Sequence, residues 1–194
     1  MRKRSLLAPG AVLSLSVAVL ATPFDAHAIL NAGAEGGLVK RTADAPNNLK
    51  IGIGYGLHGE VDFLPLLKVG PYYLHYELSS ADAVQGSADA VFNTLGLRAR
   101  LMLPIPGSYK PYAFAGIGYT WVDYAPVVGD RKGHFFETPL GVGIAYEVLP
   151  IFQLSLDVAY RPAFGFGGDA FDAAAPASKP SSGWSVMLGA ALSL

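Results

Sequence analysis

The chain has 194 residues, 52% of them apolar, and contains no cysteine. That length suits one domain, or at most two, and disulfides cannot hold the fold together. A formal net charge of −1 excludes the basic footprint of a nucleic-acid-binding protein.

The N-terminus reads as an export signal. Arg2, Lys3 and Arg4 form a basic start, residues 11–22 (AVLSLSVAVLAT) form a short apolar run, and Ala26-His27-Ala28 supplies a small-x-small cleavage pattern. The run is shorter than the roughly 20 apolar residues a spanning helix needs. Residues 1–28 are therefore expected to be a cleaved signal peptide, and residues 29–194 the mature domain. Removing Arg2, Lys3, Arg4 and Asp25 leaves 11 basic and 14 acidic residues, a net charge of −3. No later segment is long enough for an apolar spanning helix. An exported, apolar chain without cysteine fits a closed β-barrel, which satisfies its backbone hydrogen bonds internally in lipid.

Eight strands are expected in chain order. The first, residues 29–41, is diluted by Gly33, Gly36 and Gly37. The second, residues 49–63, sets Leu49, Ile51, Ile53, Tyr55 and Leu57 against Lys50, Gly52, Gly54, Gly56 and His58, with Glu60 and Asp62 continuing the polar side. The third sets Tyr72, Leu74, Tyr76 and Leu78 on the apolar face, opposite Tyr73, His75 and Glu77. The fourth, residues 91–103, alternates Leu95, Leu97, Ala99 and Leu101 with Thr94, Gly96, Arg98 and Arg100. The fifth, residues 111–123, alternates Ala113, Ala115, Ile117, Tyr119 and Trp121 with Tyr112, Phe114, Gly116, Gly118 and Thr120.

The sixth and seventh strands form a hairpin turning at Leu149-Pro150-Ile151. One face carries Leu140, Val142, Ile144, Tyr146, Val148, Phe152, Leu154, Leu156, Val158 and Tyr160; the other carries small residues with Glu147, Asp157 and Arg161. Alone, this alternation suits a soluble sheet with a buried apolar face or, inside out, a transmembrane barrel. The eighth strand, residues 183–194, repeats it from Trp184 to Leu194.

Two features favour the inside-out reading. Arg98 and Arg100 share one face of an apolar strand, and a charge facing the bilayer midplane costs about 2–4 kcal/mol, so both must face the lumen. The connections 64–70, 104–110 and 149–151 are short, while 79–90, 124–133 and 163–182 are longer and polar. Short periplasmic turns alternating with longer extracellular loops are the pattern of bacterial barrels.

The strand Pro111-Tyr112…Gly116-Ile117-Gly118-Tyr119, the hairpin 140–161 and the alternating C-terminal strand resemble the small outer-membrane β-barrel family of the OmpA/OmpX type. The resemblance covers residues 29–194. It implies an all-β fold, an eight-stranded antiparallel up-and-down transmembrane β-barrel in the outer membrane of a Gram-negative envelope. Outer-membrane lipid is the implied partner, and the barrel-assembly machinery the implied route of insertion. Family members usually end in an aromatic residue that this machinery reads, whereas this chain ends in Leu194. No peptidoglycan-binding domain is expected after the barrel.

No catalytic site, metal site or cofactor is expected. His58, His75 and His134 lack HxxH or HExxH spacing. The His-x-Ser pair of barrel-shaped lipid A deacylases and the G-x-S-x-G elbow are also missing from the sequence. Gly52-x-Gly54 and Gly116-x-Gly118 lie inside strands, so they are read as room for bulky lumen side chains. The expected lumen charge network is Glu60, Glu77, Arg98, Arg100, Glu137, Glu147, Asp157 and Arg161, a structural set of ion pairs filling a narrow barrel. Tyr55, Tyr72, Tyr119, Trp121, Tyr146, Tyr160 and Trp184 are expected as membrane-interface girdles. The leading reading is a structural or surface-interaction barrel whose loops meet an extracellular ligand. A narrow channel for small solutes and a soluble exported barrel binding an apolar ligand are the alternatives.

Overall fold

The computed structural model describes residues 30–43, 51–78, 89–125, 131–169, 171 and 180–194. The proposed signal peptide lies outside the described residues, as do parts of the longer loops. Ten strands follow one another: β1 Leu30–Ala43, β2 Gly52–Leu64, β3 Leu67–Leu78, β4 Asp89–Met102, β5 Tyr109–Ala125, β6 Arg131–Glu137, β7 Leu140–Leu149, β8 Phe152–Tyr160, β9 Ala163–Gly167 and β10 Pro180–Ser193.

They occupy eight positions in a closed antiparallel barrel, with β1 pairing to β10 and β4 to β5. The ten-strand count comes from two breaks. β5 pairs along its loop-end half with β6 and along its turn-end half with β7, and β9 continues the course of β8 by pairing with β6. The breaks fall at Pro139 and Pro162, residues without an N–H to give the ladder. The chain repairs both with a neighbouring donor: Gly116 N–H donates to the Pro139 carbonyl at 2.9 Å, and Thr138 N–H to the Pro162 carbonyl at 3.1 Å.

The registers fix the barrel's geometry. From Gly36 the ladder runs through Tyr55, His75 and Asn93 to Trp121; the other way it runs through Leu188, Leu156 and Ile144 to Pro111. The two routes meet β5 ten residues apart, at Trp121 and Pro111, a shear of ten for eight strands. With ordinary strand spacings this tilts the strands by about 40° and leaves an interior that side chains can fill.

Alternation along the strands then sorts the side chains. Ile53, Tyr55, Leu57, Leu95, Leu97, Ile117, Val142, Leu154, Val158, Val186 and Leu188 are exposed on the outer wall, while Glu35, Arg41, Glu60, Arg98, Arg100, Glu137, Asp157 and Arg161 are buried inside. An apolar outside around a charged inside is the reverse of a soluble barrel, so the soluble alternative is set aside. The faces expected for strands two, four, five and eight and for the 140–160 hairpin match these exposures.

Three expectations change. Residues 131–133 and 163–167, read as parts of the loops 124–133 and 163–182, lie in strands β6 and β9. Gly165 explains why β9 escaped notice: its positive φ of 67° lies at an irregular register and lets Phe164 point out while Phe166 packs inward. The third strand faces the opposite way. Tyr72, Leu74, Tyr76 and Leu78 are buried in the lumen, so Tyr73, His75 and Glu77 lie on the outer wall. Its alternation was ambiguous because tyrosines stand on both faces, and the neighbouring strand decides. Tyr72 stands beside Gly96 in the ladder, and a Cβ on Gly96 would lie 2.6 Å from the Tyr72 ring and 2.4 Å from the Ile117 carbonyl. The inward glycine leaves the space that the tyrosine fills.

Gly96→Ala is therefore expected to destabilise the barrel by about 1–3 kcal/mol. Ile117→Val, on the outer wall, should shift it by under about 0.5 kcal/mol. Urea titration of the protein refolded in lipid vesicles checks both.

Candidate functional site

The buried charges form two groups at different heights in the lumen. Nearer the turn end, Arg98 donates from Nε to Glu60 at 3.1 Å and approaches Glu35 at 3.5 Å through Nη1. Arg100 lies 3.4 Å from the same Glu60 oxygen, and its guanidinium stacks 4.4 Å over the Tyr112 ring. Tyr112 in turn donates its hydroxyl hydrogen to Asp157. His58 stands 3.9 Å from Glu35. Among the described residues, Nε and Nη2 of Arg100 have no partner in hydrogen-bond geometry, so charge and ring contact hold this side chain.

Nearer the loop end, Glu137 sits between two arginines. Arg41 donates to it through Nη2, and Arg161 through Nη1 at 2.7 Å. Arg41 also donates to the Tyr76 hydroxyl at 2.9 Å and to the Arg161 carbonyl at 3.2 Å, while Arg161 Nε donates to Ser185 at 3.1 Å. Glu137 and Arg161 immediately precede the two wall breaks, so this group ties both broken positions to β1. Such pairs recover the cost of burying charge only when hydrogen bonding is nearly complete, as it is here.

An apolar layer lies beside the upper group. Tyr76 stacks on Phe92 at 4.8 Å, and Phe135 packs against Phe166 at 5.5 Å and Phe171 at 6.4 Å. Phe171 reaches the lumen because its N–H closes a turn onto the Gly168 carbonyl at 3.0 Å. The Arg41 guanidinium lies 5.1 Å over the Phe135 ring, joining the charged and aromatic layers.

Six of the eight expected network residues are buried in the lumen: Glu60, Arg98, Arg100, Glu137, Asp157 and Arg161. Two are not. Glu77 is on the outer wall with its side chain 72% exposed, because the third strand faces the other way. Glu147 has inward parity and is still held in the wall, paired with Gln153 and donating its N–H to the Ser108 carbonyl at 3.0 Å, but it stands at the turn-end rim, where its side chain is half exposed, 4.0 Å from Lys110. Lys50 lies outside the described residues.

Glu35 and Arg41 belong to the lumen network but were not anticipated. Both were legible: they stand six residues apart on one face of the strand, whose other face carries only Lys40 as a charge. Of the expected girdle aromatics, Tyr72 is in the lumen, and the others are on the outer wall. Tyr109 joins Tyr146 at the turn end, with ring centroids 4.8 Å apart. At the loop end Tyr160 meets Trp184 at 4.9 Å, and Tyr119 meets Phe136 at 5.4 Å. Tyr109 and Tyr119 are ten residues apart on β5, about 25 Å along the axis at this tilt, which is the height of a barrel's lipid-facing band.

The model of the outer membrane protein beta-barrel domain family matches residues 10–191. No curated protein sequence gives a match. Among solved structures, Neisserial surface protein A is similar with a TM-score of 0.69 at 14% identity, over 85% of this chain and 97% of that one. A major outer membrane protein from Thermus thermophilus gives 0.59 at 16%, over 87% and 100%. The N-terminal β-barrel domain of Pseudomonas aeruginosa OprF gives 0.53 at 13%, over 84% and 97%. At these identities the likeness is one of fold.

Glu137→Gln leaves two buried arginines around a neutral amide and is expected to cost about 3–5 kcal/mol of stability. Glu147→Gln, at the wet rim, should stay within about 0.5 kcal/mol. Urea midpoints of the two variants in lipid vesicles, compared with the parent, read the difference.

Proposed function

We propose, for a chain that belongs to the outer membrane protein beta-barrel domain family, a passive structural or surface-interaction role in the outer membrane. The barrel is anchored in outer-membrane lipid by its apolar wall, and its rigid frame carries the loops at one end. The observation that carries this reading is the filled lumen: two groups of ion pairs, with the Phe92–Phe135–Phe166–Phe171 layer beside the upper one. An eight-stranded barrel is just wide enough for its side chains to fill, which supports reading this lumen as closed to a continuous water path. The ion pairs therefore act as a plug. Binding is assigned to the loops, 79–90, 124–133 and 163–182, because a rigid scaffold with variable loops is a common arrangement for recognition.

Tyr73 is on the outer wall, and the large side chains that stand inside the lumen are Tyr72, Arg98 and Arg100. No observation favours the channel reading over the plug, and none of the lumen groups is assigned a catalytic role. Insertion by the barrel-assembly machinery is part of the proposal, with a C-terminal strand that ends in Leu194 rather than an aromatic residue. Leu194 is 75% exposed, and its N–H donates to the Leu30 carbonyl at 2.8 Å, closing the last strand onto the first.

Purified protein in a planar bilayer is expected to give no conductance steps. Steady single-channel openings would overturn the plug and restore the channel reading. In cell fractions the protein should stay with outer membranes through a sodium carbonate wash and run faster on gels before boiling than after.

A further inference from the structure

The three short turns share a motif that the strands themselves do not account for. Leu64-Pro65-Leu66, Leu103-Pro104-Ile105 and Leu149-Pro150-Ile151 each set a proline between two aliphatic residues. Proline presets a turn, but the residues that usually accompany it at a tip in water are Gly, Asn, Asp and Ser. Here the six flanking residues are 40–60% exposed, so each turn shows bare aliphatic surface at the end of the barrel.

The tips are held at the edge of the wall instead of standing below it. Met102 N–H donates to the Leu66 carbonyl at 2.7 Å and Ser193 N–H to the Ile151 carbonyl at 3.0 Å, while Ile105 N–H turns back onto the Leu103 carbonyl at 2.8 Å. Leu149 follows Tyr146 of the turn-end girdle by three residues. At the tilt of this barrel that places it about 8 Å beyond the girdle, about the depth of a bilayer's headgroup region. The aliphatic surface is also continuous with the lipid-facing wall, since Leu64 pairs with Leu67 and Leu67 with the exposed Leu101.

Charge separates the two ends of the wall. At the loop end, Lys40, Glu77, Asp123 and Lys132 are exposed on the outside of the barrel. Beside the turns, the charged side chains among the described residues are paired, Lys68 with Asp62 at 2.9 Å and Lys110 with Glu147 at 4.0 Å. Lys68 stands next to buried Arg100 in the ladder and Lys110 next to buried Ala145, so both pairs have the parity of the lumen face. The turn-end rim is therefore polar toward the barrel axis and aliphatic at its tips. That arrangement suits lipid around the rim and water under the lumen.

We propose that the three Leu-Pro-Leu/Ile turns form an apolar rim immersed in the phospholipid leaflet at the turn end. Lipid contact runs past the Tyr109–Tyr146 girdle onto the turns, and the barrel seats flush with that leaflet. Water meets this end at the Asp62–Lys68 and Lys110–Glu147 pairs. The rim rests on the lipid-facing wall and is independent of the plug and of the loops.

The sequence holds no cysteine, so a spin label on a single introduced cysteine reports its own site. The full protein in phosphatidylethanolamine–phosphatidylglycerol nanodiscs is labelled at Leu64→Cys, Ile105→Cys or Ile151→Cys, with Leu97→Cys on the wall and Lys132→Cys at the loop end as references. Power-saturation spectroscopy then compares collisions with oxygen, which concentrates in lipid, and with a water-soluble nickel chelate. The oxygen-to-nickel ratio at each turn is expected to be several times that at Lys132→Cys and close to that at Leu97→Cys, in variants that keep heat-modifiable migration. A ratio equal to that at Lys132→Cys would place the turns in water and overturn the proposal. Few collisions with either reagent would mean that protein, such as a second copy, covers them, which also overturns it. A ratio at Leu97→Cys in the water range would remove membrane insertion itself, and the rim with it.

Discussion

Everything in this structure depends on one constraint: in hydrocarbon, a backbone N–H or carbonyl without a partner costs several kcal/mol. The sheet must therefore close, and β1 meets β10 over nearly its whole length, from Asn31 to Ala43. Where proline interrupts the wall, at Pro139 and Pro162, the ladder is repaired by Gly116 and Thr138 donating to the proline carbonyls. Closure at eight strands with a shear of ten then sets the width of the lumen, and that width dictates the interior.

A narrow lumen bounded by strands must be filled by whatever side chains alternate inward. Among the described residues, four arginines (Arg41, Arg98, Arg100, Arg161) and four acids (Glu35, Glu60, Glu137, Asp157) are buried there, and their formal charges cancel. The pairing is uneven in kind. Glu137 holds two arginines by directed hydrogen bonds, whereas Arg100 rests on charge and the Tyr112 ring. Bulky Tyr72 coexists with these only because a glycine faces it at position 96. Burial of such groups is costly unless they are paired, so lumen packing and lumen electrostatics are one problem, solved jointly by arginines, acids, aromatics and glycine.

The outer wall follows a different rule, since lipid rewards apolar surface everywhere except at the girdles. Tyr109–Tyr146 marks one boundary and Tyr119, Tyr160 and Trp184 the other. The Tyr73–His75–Asn93 group at the second boundary breaks the apolar pattern locally.

Much of this was written in the sequence. A period of two with apolar and charged faces fixes strands; paired arginines in an apolar strand fix which face is inside; and short connections alternating with long ones fix an up-and-down barrel. The same logic would have placed Glu35 and Arg41 had strand one been read for charge rather than for its glycines. What sequence left open was decided by neighbours in space. Strand three carries tyrosines on both faces, so its pattern was symmetric, and the inward glycine of β4 turned Tyr72 in and Glu77 out. Glu147 has the parity of a lumen residue, yet it stands at the turn-end rim, where its side chain is half exposed. β9 was hidden because Gly165 breaks the alternation by which strands are recognised. Alternation is a property of one strand, and the sequence determines it; register, the rim and shared space belong to pairs of strands, and only the closed barrel settles them.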